Sequence, residues 1–158
     1  MKTAGKKAKY DSTEDTMMHI EQVEDLIDEV VEQLEKRAKH HDITKFSKEE
    51  KPAFDIYTPL LKGTVYGSDE YKNYLNKMKP ALDHHYAENA HHPEHHANGI
   101  KDMTLIDIVE MLADWKASTL RHETSDLLIS INQNQKRFGY GEEMRTLLMN
   151  TARAMDWI

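Results

Sequence analysis

Between Ser12 and about Lys39 the chain runs without glycine or proline, and Ile20, Val23, Ile27, Val30, Val31 and Leu34 recur at intervals of three and four. An α-helix turns once in about 3.6 residues, so this spacing lines the apolar side chains along one face. The stretch predicts a long amphipathic helix, with Ser12 and Asp15 spaced as a capping box at its start. Its other face carries Glu21, Glu24, Asp25, Asp28, Glu32 and Glu35, the charge pattern of a solvated surface. The same spacing returns in Tyr71, Tyr74, Leu75, Met78 and Leu82 after Ser68, and in Leu105, Ile108, Met111, Leu112 and Trp115 after the Thr104/Asp107 box. Two further helices fall around Leu127 to Phe138 and Glu142 to Met155, parted by Gly139-Tyr140-Gly141. No stretch alternates with period two, so the expected class is all-α, a single compact domain of five or six helices.

A chain of 158 residues has room for one core. Residues 1–11 are expected to form a flexible arm and 12–158 one α-helical, metal-binding domain. Lysines in MKTAGKKAKY are followed by no apolar run, so a secretory leader is not expected, and no stretch has the roughly 20 apolar residues of a membrane helix. The expected setting is the cytoplasm, which is the host's if the chain is phage-encoded. In the middle of the chain, Ser47 and Glu50 have capping-box spacing, while Pro52, Pro59, Gly63 and Gly67 punctuate what reads as an irregular connection. Pro80 should kink the helix that Ser68 opens, and Pro93 with Asn98-Gly99 makes HHPEHHANG a loop or a broken helix end.

The absence of cysteine removes disulfides, thiolate nucleophiles and Cys-based zinc modules, so any metal must use nitrogen and oxygen ligands. A net charge of −7 disfavours a nucleic-acid partner. Six of the ten histidines fall between His84 and His96, and that cluster is the compositional anomaly. His41-Asp42, followed by Lys45, can offer an imidazole and a carboxylate that bridges two ions; the same pair also suits a helix C-terminus and the cap of the next segment. Within the cluster, helical geometry over residues 82 to 91 would put His85 and Asn89 one turn apart, with His92 one further turn along. His91, Glu94 and His95 have the H-x-x-E-H spacing of a metalloprotease, but Pro93 interrupts the regular helix that motif requires. A solvated histidine surface and a pH-sensitive interface are the other readings.

Glu110, Asp114 and Arg121 share one helical stripe beside the core face, where Asp114 is expected to be partly buried and to need a cation, either Arg121 or a metal. His19 lies within the apolar arc of the first helix. A straight helix would hold it about 33 Å from His41 at roughly 1.5 Å per residue, so His19 is a core histidine unless that helix folds back.

With these residues in view, the series His19, HDITKF (41 to 46), HHYAENAHHPEH (84 to 95) and VEMLADW (109 to 115) resembles a family of uncharacterised proteins frequent in phages and also present in bacteria, for which no activity is assigned. More distantly it is similar to the HD-domain metal-dependent phosphohydrolases, all-α proteins with an early histidine, a His-Asp doublet often continued as HD-x-x-K, and a late helical aspartate. That resemblance implies an HD-domain-like fold and a metal site of His41, Asp42, His85, His92 and Asp114, with His19, His84, His91, His95 and Glu110 as further candidates. It implies one or two divalent ions, manganese, iron, zinc or nickel rather than magnesium alone. Lys45 or Arg121 would hold a phosphate oxygen while a metal-bound hydroxide attacks phosphorus. The expected function is hydrolysis of a nucleotide or another small phosphate ester. The alternative is a non-catalytic phage accessory protein that is stabilised by metal or sequesters a nucleotide. A homo-oligomer is compatible with either.

Overall fold

The computed structural model describes residues 10–65, 67–120 and 126–158. Most of the expected arm, residues 1–9, lies outside them, as does Arg121. The described chain forms seven α-helices and no strand: α1 Thr13–His40, α2 Lys51–Lys62, α3 Asp69–Lys77, α4 Lys79–Glu88, α5 Leu105–Thr119, α6 Leu127–Phe138 and α7 Glu142–Ala154. Short 3₁₀ turns occupy Ile43–Phe46, Pro93–His95 and Gly99–Asp102. None of these helices is long and apolar enough to cross a membrane.

The all-α reading holds, and the additional helices come from the proline-rich middle. Residues 51–62, expected to be irregular, form α2. Pro52 sits in the first turn, where its missing N–H has no partner to lose, and Pro59 is carried inside the helix. Pro80 ends one helix and starts another rather than kinking a continuous one: Met78 serves as the C-cap of α3 and the N-cap of α4, which places Pro80 in the first turn of α4.

Helix α5 is the central element. Thr104 and Asp107 close the expected capping box at its start, with Thr104 N 2.8 Å from Asp107 Oδ2 and Asp107 N 3.2 Å from Thr104 Oγ1. On one side Ile108, Met111, Leu112 and Trp115 pack against Leu127 and Ile131 of α6, Tyr140, and Leu148, Met149 and Ala152 of α7. Gly139 permits the tight return between α6 and α7 with φ +67°, and the Tyr140 hydroxyl donates to the Ile131 carbonyl at 2.6 Å.

On its other side α5 meets the C-terminal end of α1 through Arg37, whose Nη1 lies 2.9 Å from Asp107 and Nε 2.6 Å from Glu110, and the histidines His41 and His91 of the following turn and loop. The remainder of α1 departs from expectation. Its apolar stripe is not core: no residue of α1 is buried, and His19, expected on a core face, is exposed. The periodicity is helical, but nothing in the described chain lies against it. At the start of α1 the Ser12 side chain makes no cap bond, and the Asp15 carboxylate, which a capping box would turn to the Ser12 N–H, accepts from the Tyr10 hydroxyl instead.

Candidate metal centre

The candidate site lies where the C-terminal end of α1, the end of α4 and the middle of α5 converge. Helix α1 stops at His40, and His41 turns the chain out with ψ 125°. Asp42 then adopts the left-handed conformation, φ 57°, one of two described non-glycine residues with positive φ. Asp tolerates this region better than most residues, and strain of this kind gathers at functional sites. The bend directs the two oxygens of Asp42 toward two different groups of side chains.

The first group comprises Asp42, His85, His91 and His92, whose donor atoms all lie within 4.8 Å of one another. Asp42 Oδ1 is 3.2 Å from His85 Nε2 and 3.5 Å from His91 Nε2, and His85 Nε2 is 3.0 Å from His92 Nε2. Donors about 2.1 Å from a shared ion stand roughly 3.4 Å apart in a tetrahedron, and these three separations are of that size. Among the described residues, Asp42 Oδ1 and His91 Nε2 are the buried side-chain polar atoms with no hydrogen-bond partner. Leaving such atoms unpaired costs about 1–3 kcal/mol each, and a cation between them removes the deficit.

The second group is His41, Asp42 and Asp114. His41 Nε2 lies 3.4 Å from Asp42 Oδ2 and 3.6 Å from Asp114 Oδ1, so Asp42 borders both groups. Lys45 Nζ sits 2.5 Å from the same Asp42 Oδ2 and 5.2 Å from the centroid of Phe54. Asp114 is half-buried, as expected at the edge of the apolar arc.

Two buried carboxylates orient the imidazoles. Glu110 Oε1 accepts from His41 Nδ1 at 2.9 Å and His91 Nδ1 at 3.1 Å, while its Oε2 takes the Arg37 guanidinium. Glu50, 0% exposed, accepts from His84 Nδ1 at 2.8 Å and His85 Nδ1 at 2.9 Å. With Nδ1 committed to a carboxylate, His85 and His91 present Nε2 to Asp42, the arrangement by which metal-ligating histidines are held in place. A third, overlapping cluster of His41, His91 and Glu110 is also close enough to hold a cation, but its hydrogen bonds mark Glu110 as the orienting member.

The electrostatics reflect these contacts. Hydrogen bonds to Asp114 and Glu110, against the effect of burial, raise His41 to about 10. Burial with the nearby His91 and His85 pushes His92 down to about 3, leaving a neutral imidazole with a lone pair. Burial would raise the Asp42 carboxyl, but the nearby His85 and Lys45 outweigh it and keep the group ionised, well below the usual range.

The structure thus brings together His41, Asp42, Lys45, His85, His91, His92, Glu110 and Asp114, and leaves other candidates apart. His84 adjoins the site through Glu50 but is not among the converging donors. His95 is exposed in the loop, its Nδ1 3.1 Å from the Tyr86 carbonyl. His19 stays far along an unbroken α1 and does not reach the site. Arg121 falls outside the described residues. The sequence pattern assigns no site role to Glu50, Arg37 or Asn89. Ser47-x-x-Glu50 looks like a capping box, and the Glu50 N–H does meet Ser47 Oγ at 3.3 Å, yet the Glu50 carboxylate is spent on histidines. Asn89 caps α4, and its amide nitrogen lies 2.7 Å from the His85 carbonyl and 2.9 Å from Thr44 Oγ1.

A cleft of about 800 Å³ opens from His92 and Asp114 and is walled by Phe54, Tyr86, Trp115 and Arg137 among others. The fold and these side chains define an all-α protein with His/Asp groups that could hold a metal ion. The chain belongs to a family of unknown function, DUF5662, whose profile matches residues 8–155. No curated protein and no solved structure matches it.

Proposed function

We propose that the protein is a metal-dependent phosphohydrolase of HD-domain type, acting on a nucleotide or another small phosphate ester with one or two divalent ions. The observation that carries the reading is the placement of Asp42, whose two oxygens face two donor groups beside an open cleft. In this reading His85, His91, His92 and Asp42 would hold one ion and His41, Asp114 and Asp42 a second. Nitrogen and oxygen donors in this ratio suit manganese, iron, zinc or nickel better than magnesium alone.

The ions lower the pKa of a bound water and neutralise charge on the phosphate. Lys45 and the cleft residue Arg137 supply positive charge near the site. Arg137 is held by Glu94 at 2.6 Å, which fixes its position at the cleft wall. The alternative, a non-catalytic metal-stabilised or nucleotide-sequestering protein, is favoured by one specific observation. Asp42, His85, His91 and His92 number four donors, enough to close a tetrahedral structural site with no position left for water.

Hydrolysis of a panel of phosphomonoesters, phosphodiesters and nucleoside triphosphates by manganese-loaded protein separates the two. Catalysis predicts turnover that Asp42→Ala and Asp114→Ala abolish, and that Lys45→Ala lowers by roughly ten- to a thousandfold with metal content intact, as for loss of one electrostatic stabiliser. A folded, loaded wild type that hydrolyses nothing on the panel supports the structural role.

A further inference from the structure

Among the described residues, none covers the apolar stripe of α1. Met17, Ile20, Val23, Leu26, Ile27, Val30 and Val31 are each 39–61% exposed. Only at the far end, at Leu34 and Arg37, does the helix become half-buried, where α5 begins. The preceding residues, from Thr13, extend about 30 Å past that contact. With that face bare, α1 lacks the packing from which helices in proteins take most of their stability. The exposed side chains present on the order of 600 Å², the upper end of what monomers leave uncovered.

We propose that this face is covered by a second copy of the same chain, α1 against α1 in parallel. Ile20, Val23, Ile27 and Val30 are spaced three and four apart, the alternating a and d positions of a heptad, which seat knobs in the holes of a helix with the same repeat. Charge favours self-pairing. Glu21, Asp25, Asp28, Glu29, Glu32 and Glu35 all fall on the outer positions, so two copies meet with their acidic faces turned away from each other.

The flanking positions agree with this orientation. In a parallel pair His19 of one copy faces Glu24 of the other, and Leu26 faces Val31, so no like charges oppose across the seam. The acidic outer face argues against an anionic membrane as the occupant, because helices that lie on such surfaces carry lysine and arginine there. Two such faces would bury on the order of 1,200 Å², the lower end of specific interfaces. Each candidate metal centre keeps all its donors from one chain, because the stripe and the centre lie at opposite ends of α1.

The chain has no cysteine, which gives a direct test on the full-length protein. Sedimentation should give a dimer for the wild type and a monomer for the Ile20→Asp/Ile27→Asp variant, with unchanged metal uptake showing that the body remains folded. Under mild oxidation Val23→Cys should form a disulfide-linked dimer, whereas Asp25→Cys, on the outer face, should not. A monomeric wild type overturns the proposal, in favour of a lipid surface if that monomer co-sediments with phosphatidylcholine vesicles and of a different protein if it does not. A dimer in which Val23→Cys fails to cross-link, or Asp25→Cys links as well, overturns the parallel α1 pairing.

Discussion

Glu50 shows how much of the candidate site rests on single side chains that coordinate nothing. Fully buried, it holds His84 and His85 by their Nδ1 atoms and fixes the direction of His85 Nε2. Glu50→Gln keeps the volume but can accept from only one histidine, so metal affinity should fall by about 10- to 100-fold, as for other losses of an orienting partner. A titration followed by calorimetry reads this directly; affinity equal to wild type would show that His85 needs no such hold. The same method measures protons. His41 is held protonated up to about 10 by Asp114 and Glu110, while His92, at about 3, is already neutral. Binding at neutral pH should therefore release about one proton from His41, seen as a dependence of the apparent heat on the ionisation heat of the buffer, and affinity should rise with pH. The sign for the metal-free fold is the reverse: protonated His41 stabilises it fully below the ordinary 6.5, and the contribution is lost as pH rises through about 10.

At the scale of elements, the helices with clean three-four spacing and good caps were legible. Residues 127 to 138 are helical as expected, and Thr104 opens α5 through the box its sequence announces. The proline-bearing middle was not, because a proline in a first turn punctuates the sequence without ending a helix, as Pro52 in α2 and Pro80 in α4 both show. The His41-Asp42 doublet, Asp114 and the histidine cluster could be proposed from residue type and order. Of the cluster, His85 and His92 are expected and do lie together; that His91 joins them was not legible, since α4 ends at Glu88 and the loop beyond it, rather than helical phase, carries His91 and His92 to the site. The hairpin between α6 and α7 allows a simple check of backbone reasoning. Gly139 has φ +67° and open space around its Cβ direction, so Gly139→Ala meets strain without a clash and should cost about 1 kcal/mol. Thermal unfolding should register this as a loss of about 2–4 °C. An unchanged midpoint would mean that the turn relaxes freely.

For the whole molecule, α5 joins two kinds of stabilisation. One face packs the apolar core, and the other carries Asp107, Glu110 and Asp114 toward Arg37 and the histidines. In the proposed function, ions bound there would tie the turn after α1, α4 with its following loop, and α5 together. At a hundredfold excess over the dissociation constant a bound ion should stabilise the fold by about 2.7 kcal/mol, and removal by a chelator should lower the melting temperature by about 5–10 °C. A chelator without effect on a protein that had carried metal would place the ion outside the folded core of the site. That Asp42 joins the donor groups into a metal centre is best tested by native mass spectrometry of the chain equilibrated with manganese. One or two bound ions per wild-type chain, and their loss in Asp42→Ala, are the expected result; a wild-type chain that carries none, or an Asp42→Ala chain that retains the full complement, would contradict it.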